Sequence, residues 1–386
     1  MSSYDPAGVH MPMTRLGPAG WLASRIGLGL AALGRPAYIT GGRAGDLPDR
    51  SVAGMRARTF AMLDAAYAAG IRYFDAARSY GRAEEFLGGW LADRGHADAV
   101  SGSKWGYRYI GGWRLDAGQH EVKEHSLAMF TAQLAQTRAM LGDRLALYQV
   151  HSLTAESGLL RDRELLSALS GLRADGVLIG LTTSGPGQAD TLRRALQLTV
   201  DGQRLFTVAQ VTWNLLEPSV APAAAEAAAA GCTILVKEAL ANGRLAPGPD
   251  LARGGDLARG GDLARGGDLA RRGDLAPVGD PVADGGLAAG GDLSAPAGDP
   301  AGLPAPAGDP ADAMAAVAAA QHVTVDAVAF AAALANPWAS VVLSGAVTPA
   351  QLQSNLQALA VGDLTGPDLA EPPGTYWAAR AARPWQ

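Results

Sequence analysis

Gly70-Ile71-Arg72-Tyr73-Phe74-Asp75-Ala76-Ala77-Arg78-Ser79-Tyr80-Gly81 reads as a short apolar strand that ends on an acid, Asp75, and runs into a loop carrying Tyr80. Outward from it one alternation recurs: a short apolar run, a loop, then an amphipathic helical stretch, which is the pattern of repeated βα units. Strands are expected at Ile26 to Leu30, Arg72 to Asp75, Ala99 to Lys104, Leu145 to His151, Leu178 to Thr183, Thr207 to Thr212, Thr233 to Lys237 and Val341 to Ser344. Helices are expected at Arg56 to Ala69, Ser126 to Leu141, Asp162 to Ala174, Ala189 to Leu198, Ser219 to Ala230, Val325 to Leu334 and Pro349 to Leu359. Eight strands with helices between them favour a closed (β/α)8 TIM barrel over an open doubly wound sheet. In such a barrel the catalytic groups gather where the strands end, which is where Asp75 stands and the Tyr80 loop begins.

Two more strands end on polar residues: Lys104 in Ser103-Lys104-Trp105-Gly106, and His151 in Leu147-Tyr148-Gln149-Val150-His151. The set resembles the aldo-keto reductase superfamily. That family carries an Asp, Tyr, Lys and His tetrad, and its Phe-Asp-x-Ala-x-x-Tyr-Gly pattern is matched by Phe74, Asp75, Ala77, Tyr80 and Gly81, with Glu84 or Glu85 and Gly88 downstream. The likeness runs from about Arg15 to Ala360, one insertion excepted. It implies an NADP(H)-dependent oxidoreductase that moves a hydride between the nicotinamide and a carbonyl or alcohol carbon of a small aldehyde, ketone or sugar, with Tyr80 as general acid and base.

The chemistry makes these residue types intelligible. A phenol titrates near ~10, so moving its proton-transfer tendency toward neutrality asks for about 4 kcal/mol. One ammonium about 4 Å away, at an effective dielectric near 20, supplies roughly that amount. Lys104 is thus expected to favour the tyrosinate, Asp75 to keep Lys104 charged and oriented, and His151 to donate a hydrogen bond to the carbonyl oxygen.

What the resemblance implies for the cofactor falls in the second half of the chain. Thr182, Thr183 and Gln210 occupy the places that bind the nicotinamide carboxamide, Thr183 standing where an Asn is usual. Lys237 takes the position of an aromatic that stacks on the ring, so that Trp213 or another loop stacks instead, or the ring is held less tightly; alternatively Lys237 and Glu238 are only a solvated pair. Ser344, Gly345, Gln351 and Asn355 match the adenosine phosphate segment, and a helix starting near Pro349 is expected to offer free N–H groups to a phosphate. Gln351 and Asn355 favour NADP, whereas the missing Arg and Lys at Gln351 and Gly345 leave NAD open. Trp105, Tyr107, Tyr109, Trp113 and Trp213 are candidate walls of the substrate pocket.

Between the seventh and eighth strands an Asp recurs every six residues from Asp250 to Asp280, in copies of Asp-Leu-Ala-Arg-Gly-Gly that decay into Pro, Gly and Ala. Residues 247–311 therefore read as a disordered surface insertion in an otherwise single barrel spanning 1–386. A net charge of -5 with scattered cations excludes the footprint of a nucleic-acid binder. The lone Cys232 and an N-terminus without a secretory pattern point to the cytoplasm, and the alanine-rich runs fall short of a membrane span. His120 and His125 are one residue too far apart for a zinc-protease helix, so no metal is expected. Two rival readings stand beside the oxidoreductase: a cofactor-binding regulatory or interaction subunit that uses the insertion, and a barrel isomerase or lyase without a nicotinamide.

Overall fold

The computed structural model describes residues 10–39, 43–246, 310–362, 364 and 367–385. Eight parallel strands run in chain order around a ring: β1 (Ile26–Gly29), β2 (Tyr73–Asp75), β3 (Val100–Trp105), β4 (Leu145–Leu153), β5 (Leu178–Thr183), β6 (Val208–Thr212), β7 (Thr233–Lys237) and β8 (Ala339–Ser344). β8 pairs with β1 through Val342 and Ile26 and closes the barrel, as expected of the (β/α)8 fold.

Helices α1 (Val52–Ala68), α2 (Ala83–Arg94), α3 (Leu127–Leu141), α4 (Arg163–Ala174), α5 (Gln188–Leu196) and α6 (Ala221–Ala229) follow the first six strands in turn. α7 (Pro310–Gln321) and α8 (Val325–Leu334) precede β8, α9 (Pro349–Leu356) follows it, and α10 (Pro373–Ala381) ends the chain's helices. α1 starts earlier than the expected Arg56 because Ser51 caps it, its hydroxyl accepting the Gly54 N–H at 3.0 Å. Asp162 caps α4 in the same way, through the Leu165 N–H at 3.0 Å.

Strands β2, β3, β5 and β6 are buried along their whole length. Side chains inside and helices outside cover both faces, which is why these strands show no regular alternation of apolar and polar residues. Inside the barrel, Tyr73, Leu147, Leu235, Val341 and Leu343 pack with Leu16 and Ala23. Those last two come from a hairpin, Met13–Leu16 with Trp21–Ser24, that closes the N-terminal end of the barrel. The Gly- and Pro-rich start gave no strand pattern to predict it.

The repeat segment read over 247–311 enters between β7 and α7; residues 247–309 lie outside the described residues, and 310 and 311 open α7. Among the described residues no single helix is long and apolar enough to cross a membrane, and the alanine-rich pair Ala313–Gln321 and Val325–Leu334 is bent by 86°.

Candidate active site

The C-terminal ends of β2, β3 and β4 bring Asp75, Lys104 and His151 together, and the loop after β2 returns Tyr80 over them. Lys104 is 1 % exposed. Its ammonium forms an ion pair with Asp75, donates to the Ala76 carbonyl at 2.9 Å and lies 4.7 Å from the centroid of the Tyr80 ring. The Tyr80 and His151 rings meet edge to face, 5.5 Å apart. Asp75 also accepts from the Tyr73 hydroxyl at 3.1 Å, Gln210 Nε2 at 3.2 Å and Gln149 Nε2 at 3.3 Å. Tyr73 and Gln149 went unnoticed in the sequence because an inward-facing residue of a fully buried strand carries no periodic signature.

The loop holding Tyr80 is fixed by continuing the sheet: the Ala76 N–H donates to the Gly102 carbonyl at 2.8 Å and the Arg78 N–H to the Lys104 carbonyl at 3.0 Å. Glu84 anchors it from behind, buried, accepting from Ser103 and, at 2.8 Å, from Thr137 while pairing with Arg78. This gives Glu84, rather than Glu85, the structural part in the motif.

Burial, and next the Asp75 carboxylate, hold the Tyr80 phenol well above its ordinary value. Lys104 pairs with Asp75, and burial lowers its own ammonium despite that partner. His151 is held well below the usual imidazole range by burial and by Lys104, so it is neutral at pH 7. Its Nδ1 lies 3.4 Å from Ser79 Oγ, and His125 Nε2 bonds to its carbonyl at 2.9 Å.

Tyr80, Asp75 and His151 face a cavity of about 640 Å³ that continues past Gln210 and Lys237 to Ser344, Gly345, Gln351 and Asn355. A model of the aldo/keto reductase family matches residues 25–371. The chain belongs to the aldo/keto reductase family. Solved structures agree on the fold. One described as an aldo-keto reductase from Pseudomonas aeruginosa is 22% identical, covers 91% of this chain and 96% of its own, and has a TM-score of 0.56. The holo form of an aldo-keto reductase from Bacillus halodurans is 18% identical, covers 96% of each chain and has a TM-score of 0.57. Among curated proteins none matches by sequence. Family membership implies NAD(P)-dependent oxidoreduction.

In this aldo-keto reductase the predicted cofactor residues divide. Gln210, Lys237, Ser344, Gly345, Gln351 and Asn355 line the cavity, whereas Thr182 and Thr183 do not. Thr182 Oγ1 accepts the Ser152 N–H at 2.7 Å, and Thr183 Oγ1 donates to Gln188 at 3.4 Å. Both hydroxyls are spent on neighbouring chain, and the next residue, Ser184, reaches the cavity instead. Lys237 does pair with Glu238, at 3.7 Å, but the pair is buried rather than solvated: Lys237 also donates to Thr212 Oγ1, and burial pulls its ammonium down to about 8.

The start of α9 also differs from expectation. Gln351 Oε1 accepts the N–H groups of Val347 and Thr348, Thr348 Oγ1 accepts that of Gln351, and Gln351 Nε2 donates to Asp46 at 2.8 Å. The helix caps itself, so most of the N–H groups assigned to a phosphate are occupied.

The pocket walls are corrected as well. Of the five aromatics named from sequence only Tyr107 lines the cavity. Trp105 is fully buried against Phe130, Trp213 packs on Trp338, and Trp113 donates to the Arg50 carbonyl at 2.8 Å while its N–H is held by the Tyr109 hydroxyl. Tyr38, Arg35, Glu121 and Trp385 take their place. Trp385 stacks on His120 at 4.3 Å, whereas His125 lies against the buried Trp105, and neither of that second pair lines the cavity. Only tertiary folding brings the chain's penultimate residue to this pocket.

A dinucleotide fits what is present. A cavity of this volume suits a cofactor-sized ligand. A side chain built on Gly345 would meet nothing within 4 Å, leaving that backbone open to the cavity. Gln210 Oε1 and Asn242 Oδ1, both on cavity-lining residues, are buried without a hydrogen-bond partner.

Proposed function

We propose that this aldo-keto reductase transfers a hydride between NADP(H), with NAD(H) admitted, and the carbonyl or alcohol carbon of a small aldehyde, ketone or sugar, and that Tyr80 gives or takes the proton. One observation carries the reading: Tyr80, His151 and the Lys104–Asp75 pair meet at one wall of a cavity whose far end is Ser344, Gly345 and Asn355. The nicotinamide, when bound, supplies the hydride, which no side chain can provide.

Tyr80 holds its proton at neutral pH, the form a donor to a reduced carbonyl oxygen needs. Neutral His151 offers a second donor: with Nδ1 accepting from Ser79 Oγ, its Nε2–H is free to point at the same oxygen. Lys104 and Asp75 form the floor beneath the Tyr80 ring and fix its place. On the substrate side Tyr38, Tyr107 and Trp385 give flat apolar faces, and the Arg35–Glu121 pair and Ser152 give polar ones. That mixture suits hydroxylated carbonyls such as aldoses.

The test is nicotinamide absorbance with purified protein, NADPH or NADH, and a panel of aldehydes, ketones, aldoses and pyridoxal. Tyr80→Phe is expected to lower turnover about 100-fold or more while cofactor affinity, read by fluorescence titration, stays near wild type. Near-normal turnover in that variant overturns the assignment.

A further inference from the structure

Arg35 lies in the loop after β1 and is 2 % exposed. A buried guanidinium persists only where it is paired and hydrogen-bonded. Its Nε donates to the Ala31 carbonyl at 3.2 Å, and Nη1 donates to the Ser79 carbonyl at 3.0 Å and to Glu121 Oε1 at 2.6 Å. Three rings surround it, with centroids 4.7 Å (Trp385), 4.9 Å (Tyr38) and 5.1 Å (Tyr80) from Cζ.

Two of these contacts converge on one residue. Arg35 holds the carbonyl immediately before Tyr80 and lies against the Tyr80 ring. The backbones are locked there too: Arg82 N–H donates to the Gly34 carbonyl at 2.7 Å, and a Cβ on Gly34 would fall 2.2 Å from the Tyr80 carbonyl oxygen. The β1 loop and the Tyr80 loop are thus clamped at Gly34 and at Arg35. Lys104 likewise reaches the Tyr80 ring as one member of a pair, with its hydrogen bonds on Asp75 and Ala76, so Arg35 with Glu121 and Lys104 with Asp75 flank the ring as two ion pairs.

We propose that Arg35 is a positioning residue for the reaction: it fixes the Tyr80 ring and adds a positive charge that favours the tyrosinate, with Glu121 as the counter-charge that limits it. This rests on Tyr80 being the proton-transfer group. The charged groups facing the phenol are Asp75 from β2, Lys104 from β3, Arg35, Glu121 and, after β7, Glu238; His151 faces it neutral, and the hydroxyls of Tyr38 and Tyr73 are nearby. Of these, Arg35 opposes the rise in the phenol that burial and the carboxylates cause.

The experiment is the pH dependence of kcat/KM for oxidation of benzyl alcohol, or of the alcohol matching whichever panel carbonyl turns over fastest, in wild type, Arg35→Met, Arg35→Lys and Glu121→Gln. Arg35→Met is expected to move the alkaline rise upward, leaving about tenfold less activity at a given neutral pH, with cofactor affinity by fluorescence titration unchanged. Glu121→Gln is expected to move it the other way. Arg35→Lys is expected to restore the position of the rise but not full turnover, because one ammonium cannot reproduce the fork to Ala31, Ser79 and Glu121. If Arg35→Met fails to fold, the downward shift in Glu121→Gln still decides the sign. Profiles in Arg35→Met and Glu121→Gln that superimpose on wild type, or that shift in the same direction, overturn the proposal. Near-normal turnover in Tyr80→Phe sinks both readings at once, whereas an inactive Tyr80→Phe with unshifted profiles sinks this one alone.

Discussion

Lys104 meets Tyr80 through the ring, 4.7 Å from its centroid, and spends its hydrogen bonds on Asp75 and the Ala76 carbonyl. The pair is therefore structural as well as chemical. Lys104→Met leaves the Asp75 carboxylate buried with only the neutral donors Tyr73, Gln149 and Gln210. Removing one member of a buried pair costs about 3–5 kcal/mol, and the loss should appear as a lower denaturant midpoint in equilibrium unfolding. The double variant Asp75→Asn with Lys104→Met is expected to regain much of that stability and none of the turnover. Equal instability of the single and double variants would show that the pair is not what the single variant breaks.

Acid should weaken the fold in two separable steps. His125 is lowered to about 4 by burial: its Nε2 donates to the His151 carbonyl, and its Nδ1 is buried without a partner. The unfolded chain binds a proton there below about pH 6.5 and the native one does not, so stability is full above that pH and falls toward pH 4, by roughly 3 kcal/mol at most. Glu238, lowered to about 2 chiefly because Arg380 and Lys237 offset its burial, contributes stability present above about 4.5 and lost as pH falls toward 2. Urea midpoints measured across this range should fall less steeply in the upper step for His125→Gln, the buried neutral His151 keeping the remainder of that step, and leave the lower step in place. A His125→Gln curve parallel to wild type counts against the buried neutral histidine.

Arg380 fastens the last helix to the site. Arg380 Nε donates to Glu238 Oε2 at 2.8 Å, and Glu238 sits just past β7 in a left-handed backbone conformation at φ 60. Arg380→Met is expected to cost about 2 kcal/mol through a buried carboxylate left short of donors. It should also raise KM for substrate, because the helix that carries Trp385 into the pocket loses one of its anchors. Limited proteolysis reports this directly: cleavage within Pro373–Ala381 should quicken in Arg380→Met, and unchanged cleavage would place the anchor elsewhere.

What could be read before folding was the part of the protein with a period or a motif. All eight strands were legible because runs such as Leu178–Thr183 and Thr233–Lys237 are buried on both faces, and Asp75, Lys104 and His151 because each closes such a run. The N-terminal hairpin was not, since its two strands of four residues expose Met13, Trp21 and Leu22. Arg35 and Glu238 come from loops, Glu121 from a short strand (Glu121–Lys123) between β3 and α3, and Trp385 from the chain's end, and only tertiary structure brings them to one cavity. Trp105 misled because a tryptophan beside a strand-end lysine looks like a pocket wall, while the pleat turns successive residues to opposite faces and sends it into the packing against Phe130.

Cofactor discrimination should depend on Asp326. Its carboxylate is 3 % exposed, lines the same end of the cavity as Ser344 and Gly345, and accepts from Asn355 Nδ2 at 2.6 Å and Ser354 Oγ at 2.8 Å. Gln351, the residue that favoured NADP in the sequence, is itself turned to a second carboxylate, Asp46. A phosphate on the adenosine ribose would carry up to two negative charges into this acidic end, while the ribose diol of NAD(H) would only donate to it. Asp326→Asn is therefore expected to tighten NADPH by about tenfold and NADH by much less, since it removes a repulsion felt only by the extra phosphate. Fluorescence titration of both reduced cofactors against wild type and Asp326→Asn measures this without reference to turnover. Equal changes for the two would mean that the adenosine end of the cofactor lies away from α8.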